Sequence, residues 1–324
     1  MGFYRLDLQV GYQAVGVSVV NPTLFGSWVE SSGDASISAS DDTVDIGALL
    51  DPDKAYYVEI VEGPTGTSDP LVGQRFELDV AETILPSTGG GVMMLEMDSE
   101  TTTWVNDPVT VPATAPDLSG HRFELRAHMT LGQVFDTGVL FGNTSFADAD
   151  QVQVFDGSGF AIYYVLDVGG YKQWTRQADP SYEPQENLPI APGQGLIFKR
   201  SELSPGTATV RVQGVARLTP FVQPMDAGFN FVSEPFPKTN SFDGRDAFPG
   251  AFANGDRVQL FDGAGFDTYE LYAVADLWVD TLDTNYTSQN LEPLFDYRSA
   301  VFVNLSNPTN SYRIDPPYSP EPAP

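Results

Sequence analysis

Apolar and polar side chains alternate with a period of two along most of the chain. Phe3-Tyr4-Arg5-Leu6-Asp7-Leu8-Gln9-Val10, Tyr56-Tyr57-Val58-Glu59-Ile60-Val61-Glu62, Arg75-Phe76-Glu77-Leu78-Asp79-Val80, Thr207-Ala208-Thr209-Val210-Arg211-Val212 and Val258-Gln259-Leu260-Phe261 all offer every second residue to a core. Such runs mark strands with one buried face. Turn residues separate them at Asp156-Gly157-Ser158-Gly159, Asp262-Gly263-Ala264-Gly265, Pro192-Gly193-Gln194-Gly195 and Gly89-Gly90-Gly91, as in sandwiches and barrels. The pattern predicts an all-β chain of tandem antiparallel sandwich-like or barrel-like modules with at most one or two short helices. One helix is expected after Thr130, where Gln133 three residues later completes a capping box. Asp136-Thr137-Gly138 and Gly142 stop it within a turn or two.

A repeat organises the C-terminal two-thirds. Asp150-Gln151-Val152-Gln153-Val154-Phe155-Asp156-Gly157-Ser158-Gly159-Phe160 matches Asp256-Arg257-Val258-Gln259-Leu260-Phe261-Asp262-Gly263-Ala264-Gly265-Phe266 at eight of eleven positions, with an offset of 256 − 150 = 106. Tyr163 then matches Tyr269, Trp174 corresponds to Trp278 after a two-residue slip, and Asn187-Leu188 to Asn290-Leu291. Repetition at this scale predicts two related β modules. Each is entered by two strands around a glycine, as in Leu218 to Pro237 around Gly228. A faint third copy of that entry surrounds Gly11. A shorter echo, Gly73-Gln74-Arg75-Phe76-Glu77-Leu78 against Gly120-His121-Arg122-Phe123-Glu124-Leu125, points to paired strands or a small barrel near the N-terminus. The expected division is an N-terminal β domain over 1–120, a first module over 121–214, a second over 215–316 and a Pro-rich, extended tail over 317–324. At roughly 150 residues per domain, 324 residues suit two or three such units.

Composition narrows the chemistry. There is no Cys, which excludes disulfides, thiolate catalysis and Cys-ligated metals. Lys plus Arg total 16 against 44 Asp plus Glu, a net charge of 16 − 44 = −28, and a field of that sign repels nucleic acid and anionic lipid. Neither is an expected partner. At 41% hydrophobic and 12% aromatic residues the chain still carries a core. No apolar run approaches the roughly 18–20 residues of a spanning helix, so membrane insertion is not expected. The opening Met1-Gly2-Phe3-Tyr4 lacks the basic and apolar regions of a signal peptide. A strand pattern starts at once, as though a leader had been removed and replaced by Met1.

Several of these segments together carry a likeness. The opening Gly2-Phe3-Tyr4, the run from Gly120 through Arg122-Phe123-Glu124-Leu125-Arg126 into His128-Met129-Thr130-Leu131-Gly132-Gln133-Val134-Phe135, Ala149-Asp150-Gln151-Val152 with Trp174 downstream, and Pro192-Gly193-Gln194-Gly195-Leu196-Ile197-Phe198-Lys199-Arg200 resemble an uncharacterised, paralogous family of secreted β-rich proteins from Verrucomicrobia-like bacteria. The likeness covers most of the chain. It implies export and a life outside the cell or at its surface, and it carries no assigned activity, cofactor or catalytic residue.

Candidate chemistry is sparse. His121 and His128 are the only imidazoles, with no Gly-x-Ser-x-Gly elbow and no His-x-x-x-His pair, so a place on a strand surface or beside the short helix is expected over catalysis or a metal. A glycoside hydrolase or lyase needs two carboxylates about 5–9 Å apart, and 44 acids nominate no pair. Asp148, Asp150 and Asp156, with Asp256 and Asp262 in the second module, are candidate calcium ligands because the positions recur. Turn formation through their own backbone is the favoured reading. Trp174 and Trp278, with Tyr171 and Tyr272 near them, are candidate sugar-stacking residues, although cross-strand packing is favoured. No catalytic residue and no cofactor other than calcium is expected. The expected function is a non-enzymatic secreted or cell-surface protein, structural or adhesive, whose partners are other surface proteins, polysaccharide or further copies of itself. A carbohydrate-binding module pair and a carboxylate-based glycosidase or lyase are the alternatives.

Overall fold

In the computed structural model, residues 2–33, 36–39, 46–81, 83, 93–96, 117–237, 252–272, 277–285, 287–289, 298–306 and 309–316 are described. Gly89–Gly91, Tyr286, Asn290-Leu291 and the 317–324 tail lie outside them. The chain opens with strands β1 (Gly2–Leu8) and β2 (Gly11–Gly16). Seven more follow: β3 (Phe25–Trp28), β4 (Ser31–Ser32), β5 (Ser36–Ala39), β6 (Tyr56–Glu62), β7 (Arg75–Glu77), β8 (Met93–Glu96) and β9 (Arg122–Ala127). Then come β10 (Met129–Thr130), helix α1 (Leu131–Val134), β11 (Gln151–Phe155), β12 (Phe160–Val168), β13 (Tyr171–Arg176), β14 (Pro189–Ile190), β15 (Gly195–Arg200) and β16 (Ala208–Gly214). The last eight strands are β17 (Phe221–Met225), β18 (Gly228–Ser233), β19 (Arg257–Phe261), β20 (Phe266–Tyr272), β21 (Leu277–Asp280), β22 (Ser288–Gln289), β23 (Ala300–Leu305) and β24 (Thr309–Ile314). The fold is all-β, every ladder is antiparallel, and the sheets are open rather than closed into a barrel. Helix α1 forms where the capping box places it, with Thr130 Oγ1 accepting from Gln133 N and Gln133 Oε1 from Thr130 N.

Two sheets share one pairing plan. The first has the order β13-β12-β11-β15-β2, beside a ribbon of β1 and β16; the second has β18-β23-β19-β20-β21-β22, beside a ribbon of β17 and β24. Register agrees in detail. Phe155 faces Phe160 as Phe261 faces Phe266, and Val165 faces Trp174 as Leu271 faces Trp278. Gly16 faces Gly195 as Ser233 faces Ala300, and Tyr4 faces Val212 as Phe221 faces Ile314. Gly11 and Gly228, at φ +99° and +94°, make the same corner between the two entry strands, a conformation that an L side chain enters only at a cost.

The pairing therefore groups Gly2–Gly16 with the sheet built from residues 151–214, and the segment 1–120 is not a separate hydrogen-bonded unit. Strands β3 to β9, threaded in the chain between β2 and β11, form their own sheets, β3-β9-β6-β7 and β4-β5-β8. The echoed segments there do not pair with each other. They flank β6 on opposite sides, Val58 facing Phe76 on one and Leu125 on the other.

Each sheet covers one face with its own ribbon. Tyr4, Leu6, Leu8, Val210 and Val212 close over Val152, Tyr163, Val165, Trp174, Leu196 and Phe198. Phe221, Met225 and Ile314 close likewise over Val258, Leu271, Trp278, Val301 and Val303. The opposite faces meet each other through Ala14, Phe155, Ile197, Phe231, Ala300 and Phe302. There Phe231 stacks on Phe302 at 4.3 Å, and Phe155 meets Phe302 edge-on at 5.2 Å. Burying large rings from both sides gives this contact most of its strength.

Candidate functional site

The two tryptophans are core residues. Trp174 is fully buried, donates from Nε1 to the Phe135 carbonyl at 2.9 Å and meets the Phe135 ring edge-on. Trp278 is 4% exposed and packs edge-on to Phe252 at 5.0 Å. Neither ring has a face left for a sugar, which corrects the sugar-stacking alternative for Trp174 and Trp278. Alternation along β13 and β21 turns both indoles toward the ribbons, and the Trp174 N–H is satisfied internally. Tyr171 and Tyr272 remain exposed, at 68% and 45%.

The recurring aspartates divide into two structural roles. Asp150 is fully buried: Oδ1 accepts from Ser201 N, and Oδ2 from Phe141 N and Arg200 Nη1, each at 2.8 Å. Burial pushes its pKa up, while the two backbone N–H groups and the guanidinium act in the opposite direction. Asp256 repeats the latch, Oδ1 accepting from Ser306 N and Oγ at 2.7 Å and Oδ2 from Ala253 N at 2.6 Å. Leu305 takes the place of Arg200. Asp156 and Asp262 instead cap hairpins. Asp156 Oδ1 accepts from Ser158 Oγ and N and from Gly159 N, and Asp262 Oδ1 from Ala264 N and Gly265 N. These bonds hold both carboxyls below the usual range, led by the Ser158 side chain for Asp156 and by Ala264 N for Asp262.

Asp148 is exposed. The expected grouping of Asp148, Asp150 and Asp156 is corrected by the strand between them: Asp150 precedes β11 and Asp156 follows it, roughly 20 Å apart at the rise of a strand. Asp256 and Asp262 bracket β19 in the same way. Among the described residues no group of three His, Asp or Glu side chains is arranged to hold a metal ion.

Both histidines are buried, and His128 lies two residues before the N-cap of α1, beside the short helix. His121 Nδ1 lies 3.0 Å from the Leu118 carbonyl and Nε2 3.3 Å from Asp69 Oδ1. His128 Nε2 lies 2.9 Å from both Glu77 oxygens, and its ring packs on Tyr57. Sequence separation hid both partners.

The densest polar cluster is one that the alternation pattern does not reveal. Glu59, 1% exposed, accepts from Arg217 Nη1 and from Thr219 Oγ1 at 3.1 Å, with Arg126 Nε 3.7 Å away. Arg75 donates to the Pro192 carbonyl at 3.0 Å and lies 4.4 Å above the Phe221 ring, with Arg217 4.9 Å from the same ring. Arg313 donates to the carbonyls of Asp69 and Thr67. These contacts fasten the β3–β9 unit to both sheets. Charges taken out of water need such pairing, and buried Arg is the best suited cation because its fork serves several acceptors at once. The cluster has the charge content of an active site, and its hydrogen bonds run from Arg217 and Thr219 to Glu59 and from Arg75 and Arg313 to backbone carbonyls. A concavity of about 250 Å³ lies elsewhere, lined among the described residues by Gly2, Phe3, Arg211 and Gln213.

Comparison with protein-family models, with curated proteins and with solved structures finds no match.

Proposed function

We propose that this chain is a non-enzymatic structural or adhesive protein, exported or displayed at a cell surface, and that its two sheets arose by copying one strand-forming unit. One observation supports the reading. Every chemistry-bearing side chain that recurs between the sheets and is described in both is spent on scaffold: Trp174 and Trp278 on cores, Asp150 and Asp256 on loop latches, Asp156 and Asp262 on hairpin turns. Of these only Asp156 and Asp262 are open to solvent, and each carboxylate is taken up by the N–H groups of its own hairpin. Contacts then fall to the surface, where weak single contacts gain by multivalency. The acidic field favours neutral or basic partners, and polysaccharide binding would use Tyr171 and Tyr272.

The test is retention of the purified chain on whole-cell envelopes and on insoluble polysaccharides, with soluble sugar release measured in parallel. Retention without product is expected. Release of sugar overturns the non-enzymatic reading, and no retention on any envelope overturns the adhesive one. Loss of polysaccharide retention in Tyr171→Ala with Tyr272→Ala assigns binding to those side chains.

A further inference from the structure

We propose that the free edge of β1 is a self-association surface, on which β1 of a second copy adds antiparallel with Leu6 opposite Leu6 and Arg5 opposite Asp7. The proposal does not depend on the adhesive reading. Its first support is the contrast between sheet edges. At β13, Thr175 bridges Pro184, the Trp174 carbonyl accepts from Gln185 N, and Trp174 N donates to Glu186 Oε1. At β2, Gly16 N donates to the Arg298 carbonyl, and at β18 Ser233 N donates to the Gly193 carbonyl. Helix α1 lies against β16.

The telling comparison is β17, which takes the place of β1 in the second ribbon. Val222, the counterpart of Arg5, donates its N–H to the Gly73 carbonyl at 3.1 Å and accepts from Arg75 Nη2 at 3.5 Å, so the β3–β9 unit occupies that edge. On β1 the corresponding edge has no strand among the described residues. Among the described residues the Gln13 side chain reaches it, donating to the Asp7 carbonyl at 3.5 Å. By the same pairing geometry, Phe3, Arg5 and Asp7 turn their backbone groups outward. A seven-residue edge of this kind is a template for another strand.

The second support selects the partner. Tyr4, Leu6 and Leu8 are buried beneath the ribbon, while Arg5 and Asp7 side chains are 60% and 48% exposed. Opposed residues in a ladder share a face, so keeping both apolar rows on one side permits only registers centred on a residue. Centring on Arg5 opposes two cations and centring on Asp7 opposes two anions, which is unfavourable. Centring on Leu6 opposes Arg5 with Asp7 twice over, lets each pair exchange both backbone hydrogen bonds, and sets Tyr4 beside Leu8. The strand is thus complementary to itself. Two chains of charge −28 repel at a distance, but at about 150 mM salt a screening length of about 8 Å removes most of that while sparing contact pairs.

The experiment is sedimentation velocity over a concentration series at that ionic strength, with hydrogen exchange of the β1 amides read alongside. The native chain is expected to pass from 35.2 kDa to twice that mass, and the amides of Phe3, Arg5 and Asp7 to gain protection as it does so. Arg5→Asp and Asp7→Arg should each weaken association by about tenfold or more. Mixing the two variants should give a heterodimer, and the double exchange should dimerise as the native chain does. A chain monomeric throughout the series overturns the proposal, as does a dimer indifferent to both single exchanges, or one whose β1 amides gain no protection. The exchange readout on the native chain decides the matter even where a variant folds poorly.

Discussion

Removing the carboxylate of Asp150 should cost more than removing that of Asp256, although the two occupy the same place in their sheets. In Asp150→Ala, Arg200 keeps its place at 3% exposure and loses the oxygen at 2.8 Å that neutralises it, while the N–H groups of Phe141 and Ser201 lose their acceptors. Breaking a buried ion pair from one side costs about 3–5 kcal/mol, because the remaining charge stays desolvated. In Asp256→Ala no cation is stranded. Unmet donors remain on Ala253 and Ser306, at about 1–3 kcal/mol in all once loop relaxation is allowed. The difference should be about 2 kcal/mol. It should shrink when Arg200→Leu, which installs the residue type of position 305, is added to Asp150→Ala. Urea unfolding followed by circular dichroism gives the three stabilities, and amide exchange at Phe141 and Ser201 shows whether the latch has opened. If Asp150→Ala costs no more than Asp256→Ala, or if Arg200→Leu destabilises Asp150→Ala further, charge neutralisation is not what the latch does.

Three more outcomes follow from the same contacts. Trp174→Phe keeps most of the buried ring but leaves the Phe135 carbonyl without its donor, so urea unfolding should show a loss of about 1–3 kcal/mol with no change in retention on polysaccharide. Gly16→Ala brings a Cβ to 2.6 Å from the Ser299 carbonyl and from Ser233 Cβ. That overpacks the contact between the sheets and should lower stability by about 1–3 kcal/mol or more, read as a fall in the melting temperature. Asp156, Asp262, Asp179 and Asp283 all titrate below the ordinary carboxylate value through hydrogen bonds to their own turns. A depressed folded-state pKa adds stability that is complete above the unfolded value, near pH 4, and drains away as pH falls through the folded one. The urea midpoint should therefore drop below about pH 4, less steeply in Asp156→Asn with Asp262→Asn.

Much of the architecture was legible because it rests on local rules. Alternation gave the strands, Thr130 and Gln133 gave the one helix, and the repeated Asp-Gly-x-Gly segments gave two equivalent hairpins. The faint match around Gly11 marked a strand pair with the pairing role of β17 and β18, but it was too diverged to outweigh the order of the chain. Nothing local says that a strand will pair with one more than 200 residues away, as Tyr4 does with Val212. The same limit hid the junction. Glu59 and Arg75 sit in ordinary alternating strands, and their partners Arg217, Pro192 and Phe221 come from more than 100 residues further along the chain. A clue lay in composition. Cations are scarce, and Arg75, Arg126, Arg200, Arg217 and Arg313 all donate to internal oxygens rather than to surface carboxylates alone.

The place of the β3–β9 unit in the chain also explains why the two ribbons differ. A connection as long as residues 17–127 is tolerated because closure entropy grows only slowly with loop length, and it emerges beside β2 at the joint between the sheets. From there it reaches β17, where Gly73 comes so close to the Pro220 carbonyl that any Cβ would sit 2.5 Å from it. That close approach, at φ +95°, needs glycine, and it leaves no room for an added strand on β17. One unit covers one edge. Among the described residues no strand lies on the matching edge of β1, and this asymmetry between the two ribbons is what the proposed pairing of β1 with a second copy rests on.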